Sequence, residues 1–540
     1  MPSSRPPRTV AASEHERRLA EAGERKARGA YYTPPDVVEG LLDLALGPAL
    51  ARAVADGPDA VAALAVLDPA CGAGNFLAAA ARRIATALEA LGVGASASAE
   101  RAVRCVHGVD VDPEAVRLCR GALAEVSPSS SGAQVVEADA LLDARSIEPD
   151  AFDVVIGNPP FLSQLAGATA RTRGDAEVLR SRFGPAISAY TDPASAFVLA
   201  SLRAARPDGG TVCLIEPLSF LSARDAGGVR RASLDEAALS QLWVAGEPVF
   251  DAEVEVCAPV LVRGASSSLT ELRRGRGFDP AGEAVAPRPG EGSWSALLAT
   301  IVGHPERELR TAGVLGDIAS ATADFRDQFY GLAGAVIDDE TGAVAGDGPK
   351  LVTTGLIDPA HVAWGERSCR FNKVGYRHPR VDVGALAPDL QRWAERRSVP
   401  KVLVATQTRA LEAVVDVDGR LLPSVPVVSV VAAVHDLWRV AALLTSPAAT
   451  LVATRRHLGS GRSATALRLS ARDLLALPLP TDREAWDRGA AAFADAQAAT
   501  TAARRLDRLV ACARAVDEAF GLVDDDELLA WWRQRLPRPA

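Results

Sequence analysis

A short apolar run, Leu64 to Leu67, enters Asp68-Pro69-Ala70-Cys71-Gly72-Ala73-Gly74 and gives way to an Ala-rich helical stretch from Asn75 to Leu91. Strand, glycine loop and helix in that order open an α/β unit, and they constrain the fold more than any other part of the chain. Further strand signals follow. Val106 to Val111 carries Asp110 and Asp112 at its end, and Gln134 to Glu137 leads to Asp139. Phe152 to Ile156 runs into Gly157-Asn158-Pro159-Pro160-Phe161. A helix around Ala194 to Ala205 then precedes Pro207-Asp208-Gly209-Gly210 and a fifth strand, Thr211 to Ile215. This alternation predicts a mostly parallel sheet covered on both faces, with ligands at the strand C-termini.

At 540 residues the chain exceeds the roughly 250–300 at which one hydrophobic core stops growing, so at least two domains are expected. Between Gly264 and Gly292 Ser, Pro, Gly and Arg accumulate without hydrophobic periodicity, which predicts a linker or long surface loop. Beyond it the signals are irregular: apolar runs at Leu351 to Val352, Val402 to Ala405 and Val425 to Val431, a helix at Leu437 to Leu444, and helical periodicity from Trp486 to Trp532. The expected division is an N-terminal extension over 1–28 with an exposed helix at 9–28, a first domain at 29–265, a second at 290–480 and C-terminal helices at 481–540. Nothing approaches the roughly 20 uninterrupted apolar residues of a membrane span. No secretory leader is evident, and the default compartment is the cytoplasm. Cys71, Cys105, Cys119, Cys213, Cys257, Cys369 and Cys512 lack metal-ligand spacing and read as reduced, buried small hydrophobes; no metal is expected. The net charge of -9 weighs against a nucleic-acid partner unless cationic side chains cluster locally.

A glycine loop alone is a weak signal. The G-x-G-x-x-G fingerprint is absent, and the next acidic strand end lies beyond the roughly 20 residues typical of NAD sites, which disfavours a dehydrogenase. What remains suits an adenosyl ligand: a loop that admits it closely, one carboxylate to accept from ribose hydroxyls and another to accept from an adenine amine. Asn158-Pro159-Pro160-Phe161 is more specific. Two prolines stiffen the backbone and leave carbonyls without competing N–H groups. An exocyclic amine conjugated to a ring is a poor nucleophile, and two acceptors, the Asn158 side-chain oxygen and the Pro159 carbonyl, would draw its nitrogen toward tetrahedral geometry. Phe161 would stack on the base, worth about 1–3 kcal/mol.

Gly29-Ala30-Tyr31-Tyr32-Thr33-Pro34-Pro35, Asp68 to Leu77, Gly108-Val109-Asp110-Val111-Asp112-Pro113, Ala138-Asp139 and Gly157 to Phe161, in that order, resemble the gamma-group adenine-N6 DNA methyltransferases of restriction-modification systems. The resemblance implies a Rossmann-like, S-adenosylmethionine-dependent α/β domain followed by a mixed α+β target-recognition domain. It implies that Thr33, Asp68, Pro69, Ala70, Cys71, Gly72, Asp110, Asp139 and Pro160 contact S-adenosylmethionine, with Phe197 against its adenine ring. Asn158 and Pro159 would hold the target amine, Phe161 would stack on the flipped base, and Phe250 stands where the family has a second aromatic. For Phe197 and Phe250 an ordinary core role fits nearly as well. Fainter likenesses to the recognition domain occur at Leu351 to Ile357, Lys401 to Ala405, Leu443 to Ser446 and Leu474 to Pro480, and the match covers about three-quarters of the chain. No endonuclease-sized segment precedes Gly29, so a nuclease or other defence subunit would be a separate chain.

The partner implied is double-stranded DNA, whose target base must be extruded at a cost of a few kcal/mol. Phosphate contacts are expected from Arg455-Arg456-His457 to Arg462 with Arg468, and from Arg171 and Arg173; solvated loops account for both clusters equally well. Two other readings stay open on the residues alone: a methyltransferase acting on a protein glutamine amide, which poses the same delocalisation problem, and a non-catalytic DNA-binding subunit that retains the fold.

Overall fold

The computed structural model describes residues 33–128, 134–161, 173–188, 190–250, 254–324, 326–339, 348–459 and 467–537. The extension expected at 1–28, the Gly29 to Tyr32 element, Arg171 and Arg462 lie outside them. The chain forms two compact units, Met1–Ile301 and Val302–Ala540.

The first unit is built on a ten-stranded sheet: β1 (Val66–Asp68), β2 (Val106–Asp110), β3 (Val135–Glu137), β4 (Val154–Gly157), β5 (Thr211–Leu214), β6 (Glu216–Pro217), β7 (Ala237–Val244), β8 (Val256–Arg263), β9 (Leu269–Arg274) and β10 (Asp279–Val285). The strand order is β10-β9-β7-β8-β5-β4-β1-β2-β3, with β6 on β8. Strands β1 to β5 pair in parallel, as the alternating pattern predicts. Beyond β5 the sheet turns largely antiparallel, through β5 with β8, β7 with β8 and β9 with β10. The sheet is therefore mixed rather than mostly parallel.

Helices α1 (Pro35–Asp56), α2 (Asn75–Ala90), α3 (Pro113–Val126) and α4 (Pro193–Ala204) frame the parallel half. Three begin with proline at the first position, where its missing N–H costs nothing. Asp112 and Asp192 cap α3 and α4 by accepting from the Glu114 and Ala194 amides at 2.9 and 3.0 Å. α2 buries Phe76, Leu77, Ile84 and Leu88 in one core with Val37, Leu41 and Leu42 of α1 and Val66 and Val106 of the sheet. Each such side chain contributes about 1.5–3 kcal/mol by burial.

The linker expected at Gly264 to Gly292 is instead the β9–β10 hairpin, and the unit continues to Ile301. Its alternation is masked because β10 is exposed along most of its length, so polar residues fill it. The hairpin turn grips α1. Arg276 donates from Nε and Nη2 to the two Asp36 carboxylate oxygens, both at 2.7 Å. Phe278 stacks on Trp243 with centroids 4.9 Å apart, so close to α1 that a Cβ on Gly40 would fall 2.0 Å from its ring.

The second unit is mixed α and β. One antiparallel sheet joins Ala319–Ala323, Val428–Ala432, Lys401–Ala405 and Glu412–Asp416 in spatial order. A smaller one joins Val336–Asp338, Pro379–Val381, Lys350–Val352 and Leu421–Pro423. Helices α5 (Leu437–Thr445), α6 (Pro447–His457), α7 (Arg483–Ala498), α8 (Ala502–Ala519) and α9 (Asp526–Arg533) share one core with the first sheet through Val402, Val428, Leu444, Phe493, Val516 and Trp532. The helices after 481 therefore belong to this unit's core rather than standing apart from it. All seven cysteines are free and buried. Among the described residues no group of His, Cys, Asp and Glu is placed to hold a metal ion, and no single helix is long and apolar enough to cross a membrane.

Candidate active site

The order β3-β2-β1-β4-β5 reverses direction between β1 and β4, and a sheet of this kind leaves a crevice beyond its carboxyl ends at that point. Asp68 ends β1, Asp110 ends β2, Asp139 follows β3 by two residues and Asn158 follows β4 directly. The parallel register, with Asp68 opposite Gly108 and Asp110 opposite Glu137, brings them to one edge.

The glycine loop is held by these acids. The Ala70 amide donates to Asp68 Oδ1 at 3.0 Å and the Gly72 amide to Asp110 Oδ2 at 2.8 Å, while Asp112 donates to Asp110 Oδ1 at 2.9 Å. Gly74 has φ +86°, and a Cβ there would lie 2.8 Å from Cys119 Sγ on α3, so only glycine brings the helix this close. At Gly72, φ +51°, a Cβ would meet nothing within 4 Å; the loop faces open space there, as the cradle of an adenosyl ligand requires. Asp139 Oδ1 accepts from the Leu141 and Leu142 amides at 2.8 and 2.9 Å and shapes its own turn.

Asp68 is 1% exposed, and burial pushes its carboxyl up to about 8, with the Asp110 charge adding to the effect. It lies against β4: a Cβ on Gly157 would fall 2.4 Å from its Oδ1. The hydrogen bond to Cys119 and burial hold the Cys71 thiol well above the ordinary thiol range.

Asn158 Nδ2 donates to Thr33 Oγ1 at 3.1 Å, which directs the amide nitrogen toward the segment preceding α1 and Oδ1 to the opposite branch. Pro159 is buried and Pro160 half-buried. Phe161 and Phe250, 89 positions apart in the chain, bring their ring centroids to 6.0 Å at an interplanar angle of 49°. Phe197 is buried on α4, a helix buried on nearly every side.

Glu216 was not among the residues singled out from sequence. It is fully buried at the end of the β5 segment, next to Ile215, whose amide donates to the Gly157 carbonyl at 3.0 Å. Ser195 Oγ approaches its Oε2 at 3.5 Å, and Oε1 has no hydrogen-bond partner among the described residues. Burial, reinforced by Asp192, pushes it well above the usual carboxylate range. The signal was an acid inside the apolar run Val212 to Leu218.

The cationic clusters fare less simply. Arg173 opens a helix, Arg173–Phe183, and its side chain lies outside the described residues. Arg455, Arg456 and His457 form the last turn of α6 rather than a loop, a favourable place for cations at a helix C-terminus. Arg455 pairs with Glu306 at 2.9 Å, and Arg456 donates to the Ala476 carbonyl at 2.8 Å.

Residues 17–267 match the family described as N-6 DNA Methylase. No curated protein matches the chain by sequence. Among solved structures, the type IIL restriction-modification enzyme MmeI, solved in complex with DNA, aligns with 95% of this chain and 79% of its own at 13% identity and a TM-score of 0.66. At that identity the likeness concerns the fold. The modification subunit of a putative type I restriction enzyme from Vibrio vulnificus YJ016 aligns with 50% of this chain and 53% of its own, at 19% identity and a TM-score of 0.34. The M protein of the type I restriction enzyme EcoKI aligns with 56% and 60%, at 16% identity and a TM-score of 0.35. With its glycine loop, acidic strand ends and Asn-Pro-Pro-Phe loop gathered at one sheet edge, the segment 17–267 is similar to the N-6 DNA Methylase family, a likeness that spans just under half of the chain.

Proposed function

We propose that the protein is the modification enzyme of a restriction-modification or related defence system, methylating adenine N6 within a specific sequence of double-stranded DNA in the cytoplasm. The observation that carries this reading is the position of Asn158 and Pro159 at the crevice beyond β1 and β4, with the Phe161–Phe250 pair beside them. S-adenosylmethionine, when bound, supplies an electrophilic methyl group on a sulfonium. The chain's residues suit such a ligand: Gly72 leaves the loop open, Asp110 and Asp139 offer carboxylates at strand ends, and Asp68 stands at the mouth of the loop. We assign Thr33, Asp68 to Gly72, Asp110, Asp139, Pro160 and Phe197 to its binding.

Asn158 Oδ1 and the Pro159 carbonyl each accept one hydrogen of the target amine. With its lone pair freed from the ring, the nitrogen would take the methyl group from a bound sulfonium, the S–C bond breaking with its electron pair left on sulfur as the N–C bond forms, and one N6 proton would leave to solvent. No strong base is needed. Thr33, by accepting from Nδ2, supports the orientation of the amide that aims Oδ1 at the amine. Phe161 and Phe250 sandwich or flank the extruded base and offset part of the few kcal/mol its extrusion costs. The second unit is assigned to target recognition. Long-read sequencing of plasmid DNA from an expressing host tests the reading. N6-methyladenine should appear at one short motif and vanish with Asn158→Ala; methylation of protein glutamine alone would overturn it.

A further inference from the structure

Most fixed arginines in the second unit are paired with carboxylates: Arg307 with Asp525 and Glu527, Arg397 with Asp324, Arg439 with Asp436 and Asp487. Arg535 is held differently. Its Nη2 donates to His304 Nε2, its Nη1 donates to the Trp531 carbonyl at 3.2 Å, and its guanidinium lies 4.1 Å over the Trp531 ring. Arginine only donates, so His304 Nε2 must accept and the ring proton resides on Nδ1. His304 is 8% exposed, and burial with the charges of Arg535 and Arg455 pushes its pKa down to about 3. The imidazole is therefore neutral, and the described groups that hold Arg535 leave its charge uncompensated.

Two further cations from separate segments act electrostatically on this pair, Arg455 on His304 and Arg409 on Arg535. Arg455, at the end of α6, adds its charge to the field at His304; among the described residues its Nη1 is buried without a hydrogen-bond partner, and the carboxylate it pairs with, Glu306, is 74% exposed. Arg409, exposed between the strands Lys401–Ala405 and Glu412–Asp416, lies close enough to lower the pKa of Arg535, which burial and this charge bring to about 10. The guanidinium still carries its proton at neutral pH. Beside Arg535, His304 Nδ1 and the Trp531 indole N–H are buried donors without a partner among the described residues. Base edges present donors and acceptors together, whereas phosphate oxygens only accept.

We propose that Arg535, flanked by Arg455 and Arg409 and held by the neutral His304, binds a backbone phosphodiester of double-stranded DNA. This rests on the DNA-methylating reading and gives an acidic chain a local cationic contact.

The test uses the full-length protein with cofactor and a fluorescent DNA duplex, measuring affinity against salt concentration. Arg535→Gln should weaken binding about tenfold, equally for recognised and unrelated sequences, and reduce the slope of log K against log salt by about 0.9. Arg535→Lys should keep the slope, and S-adenosylmethionine affinity should not change. If Arg535→Gln does not fold, the exposed Arg409→Gln carries the same expectation. A folded variant with the wild-type slope overturns the proposal. Stabilisation of the wild type by millimolar inorganic phosphate together with an unchanged DNA slope also overturns it, marking a free-phosphate site instead. A wild-type protein that methylates no DNA sinks the functional reading; one that methylates DNA while the variants keep its slope sinks only this inference.

Discussion

The Nδ2 of Asn158 donates to Oγ1 of Thr33 at 3.1 Å, across 125 positions of sequence. If this bond orients the amide, Thr33→Val should lower the single-turnover rate about tenfold, the scale of one hydrogen bond, while Thr33→Ser restores most of it. Asn158→Ala should cost on the order of 10²–10³ in rate, as removal of a transition-state hydrogen-bond partner does. Cofactor affinity by calorimetry should stay within a few-fold. Asp110→Ala should do the reverse, because Asp110 holds the Gly72 amide. Comparable loss of cofactor binding in Asn158→Ala would show that the roles are misassigned.

Phe161 and Phe250 should act on the same base. Either alanine substitution should raise the KM for DNA by an amount equivalent to about 1–3 kcal/mol with little change in cofactor affinity. The double variant should lose less than the sum, because both rings serve one ligand. Strict additivity would separate Phe250 from the base site and leave it to the core, where it is 8% exposed.

Burial pushes the Asp517 carboxyl to about 8, and it accepts from the Ala448 amide at 3.1 Å. An unfolded Asp loses its proton near 3.9, so between pH 4 and 8 the native state binds the extra proton, and stability falls as pH rises through that window. Glu412, also pushed to about 8 by burial, adds in the same direction. Thermal unfolding midpoints should therefore drop from pH 5 to 8. Asp517→Asn keeps an acceptor for Ala448 and removes the ionisation, so its drop should be shallower by up to several kcal/mol of unfolding free energy. An unchanged pH dependence would show that Asp517 ionises freely in the native state.

What could be read from sequence was what short-range chemistry dictates. The glycine loop, the acids at strand ends and Asn158 to Phe161 are local patterns, and β1 to β5 lie within one or two residues of the expected bounds. Long-range pairing was not legible. The β9–β10 hairpin is polar because its outer strand is solvated, so the periodicity that reveals a half-buried strand was missing. Glu216 was hidden for the opposite reason, an acid in a run that reads wholly as core. The partnership of Thr33 with Asn158, the meeting of Phe161 with Phe250, and the gathering of Arg409, Arg455 and Arg535 depend on tertiary folding that no local spacing encodes.

The grip of the hairpin turn on α1 sets the smallest piece of this protein worth expressing alone. Residues 29–265 hold every motif of the methylase, yet a fragment cut there ends before Arg276 and Phe278 and releases Asp36 and Gly40, three and seven positions after Thr33. Such a fragment would keep the whole vocabulary of the active site and lose the clasp that seats its first word, whereas one ending at Ile301 keeps both.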